Sequence, residues 1–356
     1  MGKKQNLLII NKAQFGHLTD AIKWCEYLKD YYNITFLCFD SLNDKTEIPG
    51  VKVKYINYSG SYKTRGYRFV FAALWHILFF NGKILVEYFE KCKIFKQLMP
   101  WKRMILDIRT IAVWGDRTER DRYDNAISHT CRFYDHITVI STGVKERLGL
   151  STNNNVSILP LGSDCISSVK KEYHNLRLLY VGTFNGRNID KTVKGFFLFK
   201  SKRPGSNMKY DIIGYGKPDE VEKIKSAIKK YNLEDSITFH GSVKHDMLSP
   251  YFDNCNIGVS FIPITDFYNV QPPTKTFEYA LSGLYTIATA TDENKKIITQ
   301  TNGILITDSS EDFTRALEYV EQNKKTFDCD KIKCSLMEYS WKAIVTTKLL
   351  PILNKI

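Results

Sequence analysis

Short apolar runs recur along this chain at spacings that leave room for a helix between most of them. They fall at residues 7–11, 34–39, 51–56, 84–88, 104–108, 136–140 and 156–159. A second series falls at 178–182, 210–214, 237–241, 257–261, 285–288 and 303–306. Amphipathic helical stretches, such as 18–31 and 143–148, lie between them. This alternation is the pattern of parallel βαβ units. The two series are separated by Leu159-Pro160-Leu161-Gly162-Ser163-Asp164 and a polar stretch over 167–175, which reads as a linker. A chain of 356 residues is long for one core. The expected fold class is therefore α/β, with two doubly wound Rossmann-like domains facing a central cleft. The expected domains are 1–165 and 166–339. A helical stretch over 341–355 is expected to cross back, so that 340–356 packs on the first domain.

Three runs of the second series end at a glycine: Gly182, Gly214 and Gly241. Glycine at the carboxyl end of a strand permits a tight turn or close approach of the backbone to a ligand. In open parallel sheets ligands bind at that edge. The segment Gln271-Pro272-Pro273-Thr274-Lys275-Thr276-Phe277-Glu278-Tyr279-Ala280-Leu281-Ser282-Gly283 is a proline-stopped loop entering a helix. Unpaired N–H groups and the helix dipole attract phosphate there. Thr274 or Thr276 is placed to cap, and Lys275 adds positive charge. Glu278, a turn further in, is placed to accept from two ribose hydroxyls. The plainer reading is an ordinary capped helix with Phe277, Ala280 and Leu281 facing a core.

Taken together, these pieces resemble a GT-B glycosyltransferase, and specifically a family 4 retaining transferase. The resemblance covers most of the chain and is strongest over 136–290. The motifs run in the family's order: Ile137-Thr138-Val139-Ile140-Ser141, Leu159-Pro160-Leu161-Gly162, Tyr180-Val181-Gly182, Gly214-Tyr215-Gly216, Phe239-His240-Gly241-Ser242-Val243, and Pro273 through Gly283. Each is weak alone, and the last is the most specific. The resemblance implies sugar transfer from an activated nucleotide, without a metal or other cofactor. It assigns Glu278 to the ribose and the backbone at Gly241, Ser242 and Val243 to the base. Gly16, Gly182, Pro273, Thr274, Lys275 and Thr276 fall at donor-binding positions.

Chemistry adds roles. A departing nucleoside diphosphate gains negative charge, and fixed cations and N–H dipoles speed it. Arg187 is the first candidate phosphate ligand and Lys275 the second; a surface arginine is the alternative for Arg187. Lys191 is a weaker third. Two departures from the family stand out. The first acid of its E-x7-E pair is Val270 here, with Asn269 or Gln271 beside it as partial substitutes. The arginine common after the strand-end glycine is Thr183. In Asp107-Ile108-Arg109, alternation puts Asp107 and Arg109 on one side of a strand. Asp107 is a candidate catalytic carboxylate and Arg109 a candidate acceptor or phosphate ligand; a structural Asp–Arg pair is the alternative. His17 and Asp20 are candidates to face the acceptor or the donor, or else helix caps. No metal site is expected.

The net charge is +13 and the isoelectric point about 9.2. Residues 63–103 hold nine Lys or Arg against Glu87 and Glu90, a net +7. The same window holds the apolar run 69–80, too short to span a bilayer, which needs about 20 residues. It reads as a buried helix or as a helix lying on a membrane beside basic residues. Eight scattered cysteines with no C-x-x-C pair suit a reducing cytoplasm. Met1-Gly2-Lys3 leads almost directly to the first run, whose four apolar residues are too few for a signal peptide. The expected partners are a nucleotide-sugar donor, a glycan or polyprenyl-linked acceptor, and the anionic inner face of a membrane. Nucleic acid is not expected, since no matching motif accompanies the charge. A non-catalytic nucleotide-binding subunit and a nucleotide-sugar epimerase remain as alternatives.

Overall fold

The computed structural model describes residues 4–41 and 44–355, so Met1-Gly2-Lys3 lie outside it. The chain divides into two compact units, Met1–Leu161 with Trp341–Ile356, and Gly162–Ser340. The junction falls four residues ahead of the expected one.

All thirteen apolar runs form strands. In the first unit these are β1 (Gln5–Ile10), β2 (Tyr32–Asp40), β3 (Val51–Asn57), β4 (Lys83–Glu87), β5 (Ile105–Ile108), β6 (His136–Val139) and β7 (Val156–Ile158). They pair in parallel in the order β3-β2-β1-β4-β5-β6-β7. The second unit holds β8 (Arg177–Thr183), β9 (Lys209–Tyr215), β10 (Ile237–Gly241), β11 (Ile257–Ser260), β12 (Tyr285–Thr289) and β13 (Gly303–Ile306). These are also parallel, in the order β10-β9-β8-β11-β12-β13. Both sheets are Rossmann-like and doubly wound. Central strands such as β1 and β5 are buried on both faces, which is why they read as unbroken apolar runs.

The C-terminal stretch is helical from Trp341, with one wider turn at Val345–Leu349. Trp341, Ile344, Val345 and Leu349 are buried within the first unit. The Tyr32 hydroxyl donates to Asn354 Oδ1 at 2.7 Å, tying this stretch to β2.

The apolar run 69–80 is the last two-thirds of the helix Tyr62–Phe79, capped by Ser61. Only a narrow stripe, Phe69, Ala73 and Ile77, is buried. These positions lie four apart and share one face. Phe71, Trp75, Leu78 and Phe79 stay exposed, Phe71 at 72% and Trp75 at 59%. The fully buried alternative is thereby removed.

β8 and β9 run in register so that Gly182 lies beside Gly214. A side chain on Gly214 would run into the Gly182 carbonyl and the Phe184 ring. Gly214→Ala is expected to lose about 1–3 kcal/mol of stability by overpacking. Gly205→Ala, where nothing lies within 4 Å, should be near neutral. Urea denaturation of the two variants checks this pair.

Candidate functional site

In the second unit the site begins at the carboxyl end of β8. Past Leu179, β8 no longer pairs with β11, and the Val181 N–H donates instead to the Tyr279 hydroxyl at 2.8 Å. Tyr279 lies on the helix Thr274–Leu281, which packs so closely on β11 that only glycine fits at 258. Thr276, Phe277, Tyr279 and Ala280 face inward. Lys275 and Glu278, three residues apart, share another face.

The helix start differs from the expectation. Pro273 takes the N-cap position and no side chain caps it. Thr274 is exposed. Thr276 is fully buried, bonded to Ser260 Oγ at 2.8 Å and Asn294 Oδ1 at 3.1 Å. The expectation of Thr276 as a cap is corrected: its hydroxyl braces the core.

Lys275 reaches back over the Tyr180 ring, with Nζ 3.9 Å from the centroid. A Cβ at residue 182 would stand 2.7 Å from this ammonium, so glycine there keeps the space open. After β8 the chain turns through Phe184, with Arg187 N–H donating to its carbonyl at 3.0 Å. The Arg187 guanidinium lies 4.0 Å from the Tyr268 ring centroid. Its buried Nη1 has no hydrogen-bond partner. Among the described residues no carboxylate forms an ion pair with Arg187 or Lys275. Burial, then the Arg187 charge, pull the Lys275 ammonium down to about 7, and Glu278 opposes them. Arg187 and Lys275 thus share a desolvated corner in which the Lys275 charge is held only weakly, with Glu278 the carboxylate that acts to keep it.

Glu278 keeps 19% of its side chain exposed and sits 3.5 Å from His245 Nε2. Hydrogen bonding to Glu278 raises the His245 pKa. His245 follows the turn at Gly241, where φ is +70° and a side chain would meet open space. Ser242 is exposed, and Val243 packs partly on the cluster around Leu179 and Tyr279. Tyr180, Tyr268 and His245 are the neighbours that sequence reasoning missed. Tyr180 had a signal, standing two residues before a strand-end glycine; the loop holding Tyr268 had none.

Other candidates serve structure. Lys191 Nζ donates to the Asp308 carbonyl at 3.0 Å. Asn269 is bonded to Asp292, and Gln271 donates to the Phe267 carbonyl at 3.0 Å.

In the first unit the carboxyl ends of β1, β4 and β5 gather Asn11, Glu87, Asp107 and Arg109. Asp107 is fully buried, accepting from the Thr138 hydroxyl at 2.5 Å and lying 3.7 Å from Arg109 Nε. Arg109 donates to Asp20 at 2.9 Å and to the Leu159 carbonyl at 3.0 Å. Asp107 and Arg109 are thus enclosed and paired with each other, Asp20 also holds Arg109, and buried Asp107 Oδ2 and Arg109 Nη2 are left without a hydrogen-bond partner. Gly16 turns at φ +102° with Thr46 packed where a side chain would go. His17 is exposed.

A match to known proteins falls on the second unit. Residues 175–323 match the family model described as Glycosyl transferases group 1. No curated protein matches the chain. Among solved structures, sucrose-phosphate synthase from Thermosynechococcus elongatus is 16% identical with a TM-score of 0.76, covering 99% of both chains. Anabaena HepE in complex with UDP-glucose is 12% identical with a TM-score of 0.73, covering 99% of this chain and all of that one. The lipopolysaccharide outer core galactosyltransferase WaaB is 16% identical with a TM-score of 0.71, at the same coverage. At these identities the likeness establishes the shared GT-B fold.

Glu87 gives the buried cluster a pH signature. Burial, then Asp20 and Asp107, push its carboxyl from about 4.5 up to about 8. The folded state therefore holds a proton that the unfolded chain releases, and stability falls as pH rises between those values. Glu87→Gln should flatten that fall. Melting temperatures from pH 5 to 8 check it, with the variant gaining on the wild type as pH rises.

Proposed function

We propose that this protein is a metal-independent retaining glycosyltransferase. It moves a hexose or hexosamine from a UDP- or GDP-sugar to a glycan acceptor in surface polysaccharide assembly. The observation that carries the reading is the pair Arg187 and Lys275, lying on the rings of Tyr268 and Tyr180, with Lys275 beside Gly182 and neither in an ion pair with an acid among the described residues. A diphosphate supplies the missing charge. As the bond to the anomeric carbon breaks, negative charge grows on the departing diphosphate, and the two cations stabilise it more than they stabilise the donor. The uncapped N–H groups at Thr274 and Lys275 act in the same sense. Glu278, partly exposed one turn on, accepts from the ribose, and the open turn at Gly241 lies beside the base. The match over 175–323 and the UDP-glucose held by the HepE structure support this assignment.

Charge-assisted hydrogen bonds contribute about 1.5–3 kcal/mol each. Arg187→Ala and Lys275→Met should each weaken UDP or GDP binding about 10- to 100-fold. Neither should lower the melting temperature of the free protein, since each removes half of a repulsive pair. Binding should also return a proton to Lys275. At pH 8 the wild type is expected to take up protons on binding, and Lys275→Met to take up fewer. Calorimetry in buffers of different ionisation enthalpy measures both effects. A chain that binds no nucleoside diphosphate would overturn the proposal; one that binds but transfers no sugar would be the non-catalytic subunit.

The acceptor is proposed to be lipid-linked and the protein peripheral on the inner membrane face. No helix among the described residues is long and apolar enough to cross a membrane. The support is the exposed row Phe71, Trp75, Leu78 and Phe79, with Trp101 also exposed, within the window of net +7. Aromatics beside basic residues suit an anionic interface. The protein should float with vesicles containing phosphatidylglycerol. The double variant Trp75→Ser, Phe79→Ser should stay in the pellet fraction.

A further inference from the structure

The first unit carries a concavity of about 560 Å³ at the carboxyl edge of its sheet. Its walls come from the turns after β1, β2, β3 and β4 and from the first turns of the helix Tyr62–Phe79. The volume lies within the range of small-molecule sites. Four cations line it, Lys12, Lys63, Arg65 and Lys91, against one carboxylate, Glu90. None of the four is in an ion pair with a carboxylate among the described residues. Aromatic faces position three of them instead. The Arg65 guanidinium lies 4.2 Å from the Tyr58 centroid and 5.6 Å from that of Tyr62. Lys91 Nζ is 5.4 Å from the Tyr67 centroid, and Lys12 Nζ is 4.5 Å from that of Phe89. Burial lowers the Lys12 pKa, which marks this ammonium as partly desolvated.

Rings orient a cation without neutralising it. The walls therefore present several fixed positive charges, with Tyr58, Tyr62 and Tyr67 offering exposed ring faces and hydroxyls beside them. A neutral sugar leaves those charges unmatched, and a bare anion leaves the tyrosine faces unused. We propose that this pocket binds the acceptor, and that the acceptor ends in an acidic sugar, one bearing a carboxylate or a phosphate. The word acceptor rests on the glycosyltransferase reading; the acidic-glycan site rests on the pocket alone. The pocket is lined by the first unit alone, whereas Arg187 and Lys275 belong to the second.

The test is calorimetric titration of the full chain with four probes. These are a disaccharide ending in glucuronate, one ending in glucose 6-phosphate, the neutral disaccharide, and inorganic phosphate. At least one acidic disaccharide should bind ten-fold or more tighter than the neutral one and than inorganic phosphate. Which of the two wins identifies the acid. Arg65→Ala and Lys63→Ala should each weaken that binding at least ten-fold, while UDP or GDP binding to the same samples stays unchanged and certifies the fold. Equal binding of acidic and neutral sugars, inorganic phosphate matching the sugar phosphate, indifference to both substitutions, or no binding at all would each overturn the proposal. If acidic sugar binds and nucleoside diphosphate does not, the pocket stands and the transferase reading falls.

Discussion

The hydroxyl of Tyr279 on the Val181 N–H is the contact on which the second unit's site depends. β8 diverges from β11 beyond Leu179 and leaves a part-buried backbone donor without a strand partner on that side. Such a donor needs a partner. Tyr279 supplies it, and Gly258 gives its ring room to lie flat against β11. This fixes the height of the helix Thr274–Leu281 relative to the strand end. Lys275 then falls over Tyr180 and beside Gly182, and Glu278 falls one turn deeper, beside His245.

The same logic separates what was legible in the sequence from what was not. The thirteen strands were readable because buried parallel strands are apolar on both faces. The strand-end glycines were readable because Gly182 and Gly214 lie side by side, where backbone meets backbone. Thr276 was misread because a threonine in the first turn looks the same whether it caps the helix or bonds Ser260 and Asn294 behind it. Asp107 and Arg109 share a side of β5, as alternation demands, but alternation is silent on whether that side meets solvent or Thr138 and Asp20. Tyr268 was invisible, since its partner Arg187 is contributed from the far side of several βαβ units.

The helix Tyr62–Phe79 shows how one element can hold two surfaces. Its apolar run suggested burial, yet a single stripe four residues apart satisfies the core. The remaining aromatics serve other ends. Tyr62 and Tyr67 line the cationic pocket, and Phe71, Trp75 and Phe79 face outward further along. Composition cannot separate these roles, because phenylalanine, tyrosine and tryptophan stand on all faces of the helix.

Arg187 and Lys275 bear on turnover. On the proposed reaction, the leaving group ends with more negative charge than the donor brought in. The pair that speeds bond cleavage consequently grips the spent nucleotide more firmly than the intact one. On that reading fast cleavage comes with slower release, and accumulated nucleoside diphosphate competes with the donor for the same two side chains.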